Sequence, residues 1–95
     1  MPIVNVSLQV LPRVPDADLY PTVDRVIAHI AAQGIRYEVG PMETTLEGEY
    51  DRLMAIVKEC QEICIEAGAS RVMSVIKIDY RPEGITIDEK IAKYR

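Results

Sequence analysis

Side chains able to bind a ligand occur at three places in the sequence. They are Ser7; Thr44, Thr45 and Glu47; and Lys77 and Asp79. Hydroxyl groups donate and accept hydrogen bonds, carboxylates accept them, and an ammonium group donates them. Together they suit a small ring that carries an amino group or a positive charge. Tyr37 or Tyr80 can cover one face of such a ring.

Catalytic arrangements are missing from this sequence. It contains no Ser-His-Asp set, no metal-ligand spacing and no glycine-rich phosphate loop. His29, the single histidine, falls on a predicted helix with no carboxylate or nucleophile placed near it by the sequence. We therefore expect a protein that binds without catalysing a reaction and that uses no metal or other cofactor.

A hairpin positions the middle group of polar side chains. Extended patterns over residues 37–39 and 44–47, separated by glycine and proline at 40–41, predict this hairpin. Strict alternation turns Thr44 toward the core and Thr45 away from it. A bulge within the turn would bring Thr44 to the outer face as well. Both threonines therefore remain candidates.

The remaining elements complete the order β-α-β-β-α-β. Strands are predicted over 3–11, 35–39, 44–47 and 72–80, and helices over 21–33 and about 49–67. Pro21 is expected in the first turn of helix one, after a loop, and Gly34 and Gly68 are expected to end the two helices. Thr86 and Glu89 have the spacing of a capping box, which predicts a short last helix.

This order predicts an α+β fold, the ferredoxin-like sandwich, as a single domain over residues 1–95. Its four-stranded antiparallel sheet has the strand order 4-1-3-2, with both long helices on one face and the short helix at the C-terminus. The opposite face, which the helices leave uncovered, is expected to carry the polar side chains. On it we place Ser7, Thr45, Glu47, Lys77 and Asp79, with Glu47 opposite Ser7.

Composition limits the partners of this chain. Its 95 residues include 15 acidic and 11 basic ones, and the net charge of −4 gives no electrostatic reason to bind nucleic acid or an anionic membrane. RNA binding on the sheet face would also need exposed aromatic residues on the central strands, where polar ones are expected. No apolar run approaches the ~20 residues of a membrane helix, and the N-terminus does not resemble a signal peptide. We expect a cytoplasmic protein.

The two cysteines, Cys60 and Cys64, lie one helical turn apart within an apolar pattern. A disulfide at this spacing would close no useful loop, and no second cluster of metal ligands accompanies the pair. We expect reduced thiols in the core.

Two apolar residues interrupt the polar face of the sheet. Alternation along strand four places Met73 and Val75 on the same side as Lys77. A polar sheet face is commonly just solvated, whereas apolar residues in the middle of strand four favour coverage of the face by another subunit, with a small ligand between the two. The residues leave two functions open: small-molecule binding, and a self-associating regulatory or scaffolding oligomer without such a ligand.

Several runs of the sequence resemble the single-domain type of the thiamine-binding YkoF-like proteins. The runs are Gly-Pro-Met at 40–42, Thr44, Leu-Glu-Gly-Glu at 46–49, Gly-Ala at 68–69, Arg-Val at 71–72 and Ile-Lys-Ile-Asp-Tyr-Arg at 76–81. The resemblance spans the whole chain. It implies a ferredoxin-like fold, association of sheet faces into homodimers or homotetramers, and binding of thiamine or its hydroxymethylpyrimidine part without chemistry.

Carried over position by position, the resemblance implies ligand-binding roles for Thr44, Glu47, Lys77, Asp79 and Arg81. Ser7 matches a small polar position on strand one. The chain departs from the family pattern at Glu43, where glycine is common, and at residues 12–14 after strand one. Both departures lie at strand ends that border the expected site.

Two of these assignments have purely structural alternatives. Lys77 and Asp79, two residues apart on one strand face, can form an exposed ion pair with each other and little energetic effect. Glu47 can cap helix two. The outward position of Glu47 in the alternation favours a ligand-facing carboxylate instead.

Overall fold

The computed structural model describes residues 2–95 and contains the predicted order of elements. The strands are β1 (Ile3–Pro12), β2 (Arg36–Val39), β3 (Thr44–Glu49) and β4 (Val72–Asp79), and the helices are α1 (Asp16–Ala31), α2 (Tyr50–Glu66) and α3 (Ile87–Ile91), with a final 3-10 turn at Ala92–Tyr94. The four strands form one antiparallel sheet in the order β2-β3-β1-β4. This confirms the ferredoxin-like α+β fold.

The core fills the space between the sheet and the two long helices. Alternation along β1 turns Val4, Val6 and Leu8 toward α1 and α2, where all three are buried. The other buried apolar residues are Leu46 from β3, Val26 and Ile30 from α1, Leu53, Ile56, Val57, Cys60 and Cys64 from α2, and Ala69. Odd-numbered residues of β1 are thereby left for the second face of the sheet.

Helix α1 begins earlier than the sequence predicted. Residues 16–20 form its first turns instead of a loop, and Pro21 lies inside the helix. Asp16 and Asp18 sit in the first turn, where the positive end of the helix dipole stabilises a carboxylate. The Thr22 hydroxyl donates to the carbonyl of Asp18 at 2.7 Å. Pro21 supplies no backbone N–H donor, and the helix is nevertheless continuous through this position.

The transition from β3 to α2 also differs from the prediction. Gly48 continues the strand opposite Val4 instead of bending the chain. A Cβ atom at this position would lie 3.1 Å from a methyl group of Leu53, so the absence of a side chain lets α2 pack closely against the strand. Glu49 is the N-cap of α2, and its carboxylate accepts a hydrogen bond from the backbone N–H of Arg52.

The second face of the sheet is not fully uncovered, contrary to expectation. The short helix α3 opens with the predicted capping box of Thr86 and Glu89 and then lies against this face. Ile87 is buried there, and the Asn5 side chain donates to the carbonyl of Ile85 at 3.4 Å. The sequence predicted α3 but contained no pattern that placed it on the sheet.

Both cysteines lie in the core, as predicted, with free thiols. Burial raises the pKa of Cys60 to about 12, helped by the neighbouring Cys64 and Glu59, and burial also raises the pKa of Cys64. Because the thiolate is the reactive form, we expect the native thiols to react with an aromatic disulfide reagent at least ~100-fold more slowly than after unfolding. Ser70→Cys, at an exposed position, provides a rapidly reacting control. Fast modification of both native cysteines would contradict core burial.

No helix within residues 2–95 combines the length and apolar character needed to cross a membrane.

Candidate ligand-binding site

Two rows of polar side chains cross the second face of the sheet. The strand register places them side by side, one row being Glu38, Thr45, Ser7 and Lys77 and the other Arg36, Glu47, Asn5 and Asp79. Ser7 thus lies between Thr45 and Lys77, and Glu47 lies opposite Asn5. The expectation that Glu47 faces Ser7 is wrong by one row, because the register between β1 and β3 pairs Ser7 with Thr45.

A pocket of about 550 Å³ opens over these rows. Its floor includes Asn5, Ser7 and Thr45 from the central strands, and β4 contributes Lys77 and Asp79. One wall is the β2–β3 turn with Pro41, Met42 and Glu43, and the other wall is the C-terminal segment with Ile87, Lys90, Ile91 and Arg95. Both walls therefore contain apolar residues beside charged ones, and the floor is polar; apolar contacts with a few polar groups are usual in a site for a small organic molecule.

Ser7 is the most informative residue of the floor. Its side-chain oxygen is buried and has no hydrogen-bond partner among residues 2–95. Buried hydroxyls are nearly always paired in folded proteins, so an unpaired one at the floor of a pocket makes Ser7 a candidate for contact with a ligand. Thr45 places a second hydroxyl beside it on the neighbouring strand.

The Lys77 ammonium donates to the Glu43 carboxylate at 2.9 Å, and both residues line the pocket. This bond, with a smaller contribution from the nearby Ser7 hydroxyl, lowers the pKa of Glu43 below its ordinary value of 4.5. The Ser7 oxygen nevertheless lies outside hydrogen-bond geometry to any described group, Glu43 included. Glu43 is therefore an ionised acceptor that borders the unpaired hydroxyl.

The lowered pKa of Glu43 has a defined consequence for pH dependence. The stability contributed by the pair is complete above the ordinary value of 4.5 and is lost as the pH falls through the lower folded-state pKa. Lys77→Met should raise the pKa of Glu43 toward 4.5, as measured by the chemical shift of its carboxyl carbon during an acid titration. Lys58→Met, on the exposed side of α2, is the control and should leave that pKa unchanged. An unchanged Glu43 pKa in Lys77→Met would contradict the pairing.

Asp79 and Asn5 are held by a lysine from the C-terminal helix. The Lys90 ammonium donates to the Asp79 carboxylate at 2.7 Å and to the Asn5 side-chain oxygen at 2.9 Å. Lys77 and Asp79 are thus paired with Glu43 and Lys90, respectively. The alternative in which they pair with each other is wrong, because each finds an oppositely charged partner from another element.

Glu47 lies on the predicted face, but its carboxylate is already occupied. It accepts a hydrogen bond of 2.6 Å from the backbone N–H of Ile87, the first residue of α3. The alternative that Glu47 caps helix two is also wrong, since Glu49 does so. Glu47 instead fixes the start of α3 to the sheet, and this bond leaves it beside the pocket and not on its lining.

Two further predicted site residues lie on the opposite side of the sheet. Thr44 pairs with Leu8 and is buried toward the helices, and β3 runs from Thr44 without the bulge that would have turned this side chain outward. Tyr37 pairs with Leu46 and packs against the core. Tyr80 likewise lies beside Tyr50 of α2, with ring centroids 6.0 Å apart. Of the two threonines, Thr45 is the one that the structure brings to the pocket.

His29 has a carboxylate neighbour that the sequence did not indicate. Its ring lies 2.8 Å from Glu59, so the pair links α1 to α2 on the helical side of the molecule. This contact is remote from the pocket lining and has a structural explanation in helix packing. Within residues 2–95, no group of three or more His, Cys, Asp or Glu side chains is placed to hold a metal ion.

Sequence reasoning missed several residues that line the pocket. Glu38 was detectable, since the inward prediction for Tyr37 implied an outward Glu38. The sequence indicated Glu43 only as a departure from the family pattern at a strand end. Lys90 and Arg95 had no signal, because their position depends on where the C-terminal segment docks. The pocket is therefore built from more charged groups than the alternation of two strands predicts.

Comparisons with known proteins agree with this architecture. The model of a family described as thiamine-binding protein matches residues 6–95. A UPF0045 protein from Clostridium perfringens is 60% identical over 91 residues, which are 96% of each chain.

Two solved structures extend the likeness to three dimensions. A domain of unknown function, DUF77, from Bacillus cereus has a TM-score of 0.92 and 50% identity, covering 99% of this chain and 91% of that one. A candidate thiamine biosynthesis/salvage protein from Thermotoga maritima has a TM-score of 0.91 and 46% identity, covering 99% and 100%. The likeness in fold thus extends over nearly the whole chain.

Proposed function

We propose a small-molecule binding function for this chain, which belongs to the thiamine-binding protein family. The ligand we propose is thiamine or its hydroxymethylpyrimidine part, held in the pocket over Ser7 and Thr45 without chemical conversion. Family membership supports the proposed class of ligand, and the geometry of the pocket supports the proposed binding position.

The single observation that carries the proposal is the buried, unpaired hydroxyl of Ser7. An aminopyrimidine ring presents an exocyclic amine and ring nitrogens, which are a donor and acceptors on one edge. The hydroxyls of Ser7 and Thr45 can both donate and accept, and the ionised Glu43 accepts. A ring edge placed on this floor would supply the partner that Ser7 lacks.

The walls of the pocket suit the faces of such a ring. Pro41 and Met42 on one side and Ile87 and Ile91 on the other offer apolar contact. Met42 is 76% exposed, so covering it with a ligand would remove apolar surface from water. We assign Ser7, Thr45 and Glu43 to the polar edge of the ligand, with Lys77 and Asp79 as flanking charges.

Titration calorimetry of the purified protein with thiamine tests this function. We expect saturable binding with one ligand per pocket, and competition by hydroxymethylpyrimidine. Oxythiamine, in which an exocyclic oxygen replaces the exocyclic amine of the pyrimidine, is a matched comparison that should bind more weakly, because the acceptor Glu43 would lose its donor. Absence of heat and of competition at millimolar thiamine would contradict the proposal.

We also propose that copies of the chain associate through the same sheet face. At the end of that face remote from α3, Leu11, Met73 and Val75 lie together and are 44%, 54% and 44% exposed. An apolar strip of this kind on a sheet is typical of a surface that another subunit covers. Association would place this strip at an interface and leave the pocket close to it.

Val75→Lys should shift the assembly toward smaller species, because a lysine there must lose its hydration when the subunits meet. Sedimentation velocity at micromolar concentration measures the change. Ile65→Lys makes the same substitution at an exposed position of α2 and should leave the distribution unaltered. A wild-type mass of one chain would contradict association altogether.

A further inference from the structure

We infer that the pocket selects the unphosphorylated ligand and discriminates against its phosphate esters, an inference that rests on the proposed function. A phosphate group is bound in proteins by free cationic side chains or by the free amides of a helix N-terminus. Both kinds of donor border this pocket. In the structure both are already occupied by carboxylates or hydroxyls of the chain itself.

Each cation that lines the pocket is paired with an acidic residue. Lys77 donates to Glu43 at 2.9 Å and Lys90 to Asp79 at 2.7 Å. Arg95 donates to Glu38 at 3.3 Å. A phosphate oxygen would therefore have to share a cation with a carboxylate or displace that carboxylate.

The amides at the start of α3 are engaged in the same way. Glu47 accepts from the N–H of Ile87 at 2.6 Å, and Glu89 accepts from the N–H of Thr86 at 2.8 Å. The Thr86 hydroxyl accepts from the N–H of Glu89 at 3.2 Å. Three amides at the positive end of this helix are thus engaged by side chains of the protein itself.

Displacing a carboxylate would not remove it from the pocket. Glu38, Glu43 and Asp79 are fixed to strands or to the hairpin turn around the floor, so a bound phosphate would stay close to negative charge. Such like charges repel, most strongly where a ligand excludes water. The hydroxyl group of the unphosphorylated ligand carries no charge and avoids this repulsion. Pairing within the pocket therefore favours the free alcohol over its phosphate ester.

Calorimetric titrations of thiamine and thiamine monophosphate, at one fixed ionic strength, test this inference. We expect the wild-type protein to bind thiamine about tenfold or more tightly than the monophosphate. Glu43→Gln removes one negative charge and frees Lys77. The ratio of the affinity for thiamine to the affinity for the monophosphate should therefore fall at least ~3-fold in this variant. Glu38→Gln, which frees Arg95, is a second variant with the same expected direction. Glu59→Gln makes the identical change beside His29 on the helical side and should leave the ratio unaltered.

The outcomes separate the inference from the function on which it rests. Equal or tighter binding of the monophosphate by the wild type overturns the inference and leaves thiamine binding in place. An unchanged ratio in both Glu43→Gln and Glu38→Gln, in proteins that melt like the wild type, also overturns it. Failure of both compounds to bind the wild type overturns the proposed function, and the inference falls with it.

Discussion

Replacing Ser7 by alanine is expected to weaken thiamine binding about tenfold and to raise the free energy of unfolding by ~1 kcal/mol. The two effects have one cause. The Ser7 hydroxyl is buried without a partner among residues 2–95, which is unfavourable, and the proposed ligand would supply that partner. Alanine removes both the penalty and the contact.

Ser74→Ala provides a matched control for this prediction. Ser74 lies on β4, and its hydroxyl accepts from the Gln61 side chain at 3.0 Å. Removing this satisfied hydroxyl should lower stability by ~1 kcal/mol and leave thiamine affinity unchanged, the opposite pattern. Calorimetry and denaturant unfolding of the two variants measure both quantities. A Ser7→Ala protein with wild-type affinity would contradict a role for Ser7 in the site.

Replacing Glu47 by alanine should release α3 from the sheet. The carboxylate of Glu47 holds the N–H of Ile87 at 2.6 Å, and a hydrogen bond to a charged group typically contributes about 1.5–3 kcal/mol. We expect amides of α3, residues 87–91, to exchange with deuterium roughly tenfold or more faster in this variant. Thiamine binding should weaken as well, because Ile87, Lys90 and Ile91 form one wall of the pocket.

Glu47→Gln and Glu62→Ala complete this test. Glutamine keeps an acceptor oxygen and should give an intermediate effect on exchange. Glu62→Ala removes a carboxylate from the exposed side of α2 and should leave the α3 amides protected. Unchanged exchange of α3 in Glu47→Ala, together with a large loss of affinity, would show that Glu47 contacts the ligand as the sequence first suggested.

Much of the scaffold could be predicted because it follows from local periodicity. Alternation along β1 and β4 correctly separated the core residues from those of the second sheet face, and Gly34 and Gly68 at the helix ends have the positive φ angles, 72° and 106°, that favour glycine. The strand order followed from the βαββαβ succession and the handedness of its crossovers. The sequence alone therefore places Ser7, Thr45, Lys77 and Asp79 on one face of the sheet.

The parts that the sequence did not reveal depend on contacts between distant segments. The position of α3 results from bonds such as Asn5 to Ile85 and Lys90 to Asp79, which no local pattern encodes. The charge partners of Lys77 and Asp79 come from the hairpin turn and from α3. Thr44 was retained because a bulge was allowed, and the register shows none. A short polar helix has several surfaces on which it can dock, so its choice is fixed only by the assembled fold.

A crystal structure of the protein with bound thiamine tests the central claim most directly. We predict the aminopyrimidine ring on the floor of the pocket, with one of its nitrogen atoms within about 2.7–3.2 Å of the Ser7 hydroxyl oxygen. Met42 and Ile91 should then lie on either side of the ligand. Thiamine bound elsewhere, with the Ser7 hydroxyl still buried and unpaired, would contradict the assignment of the site.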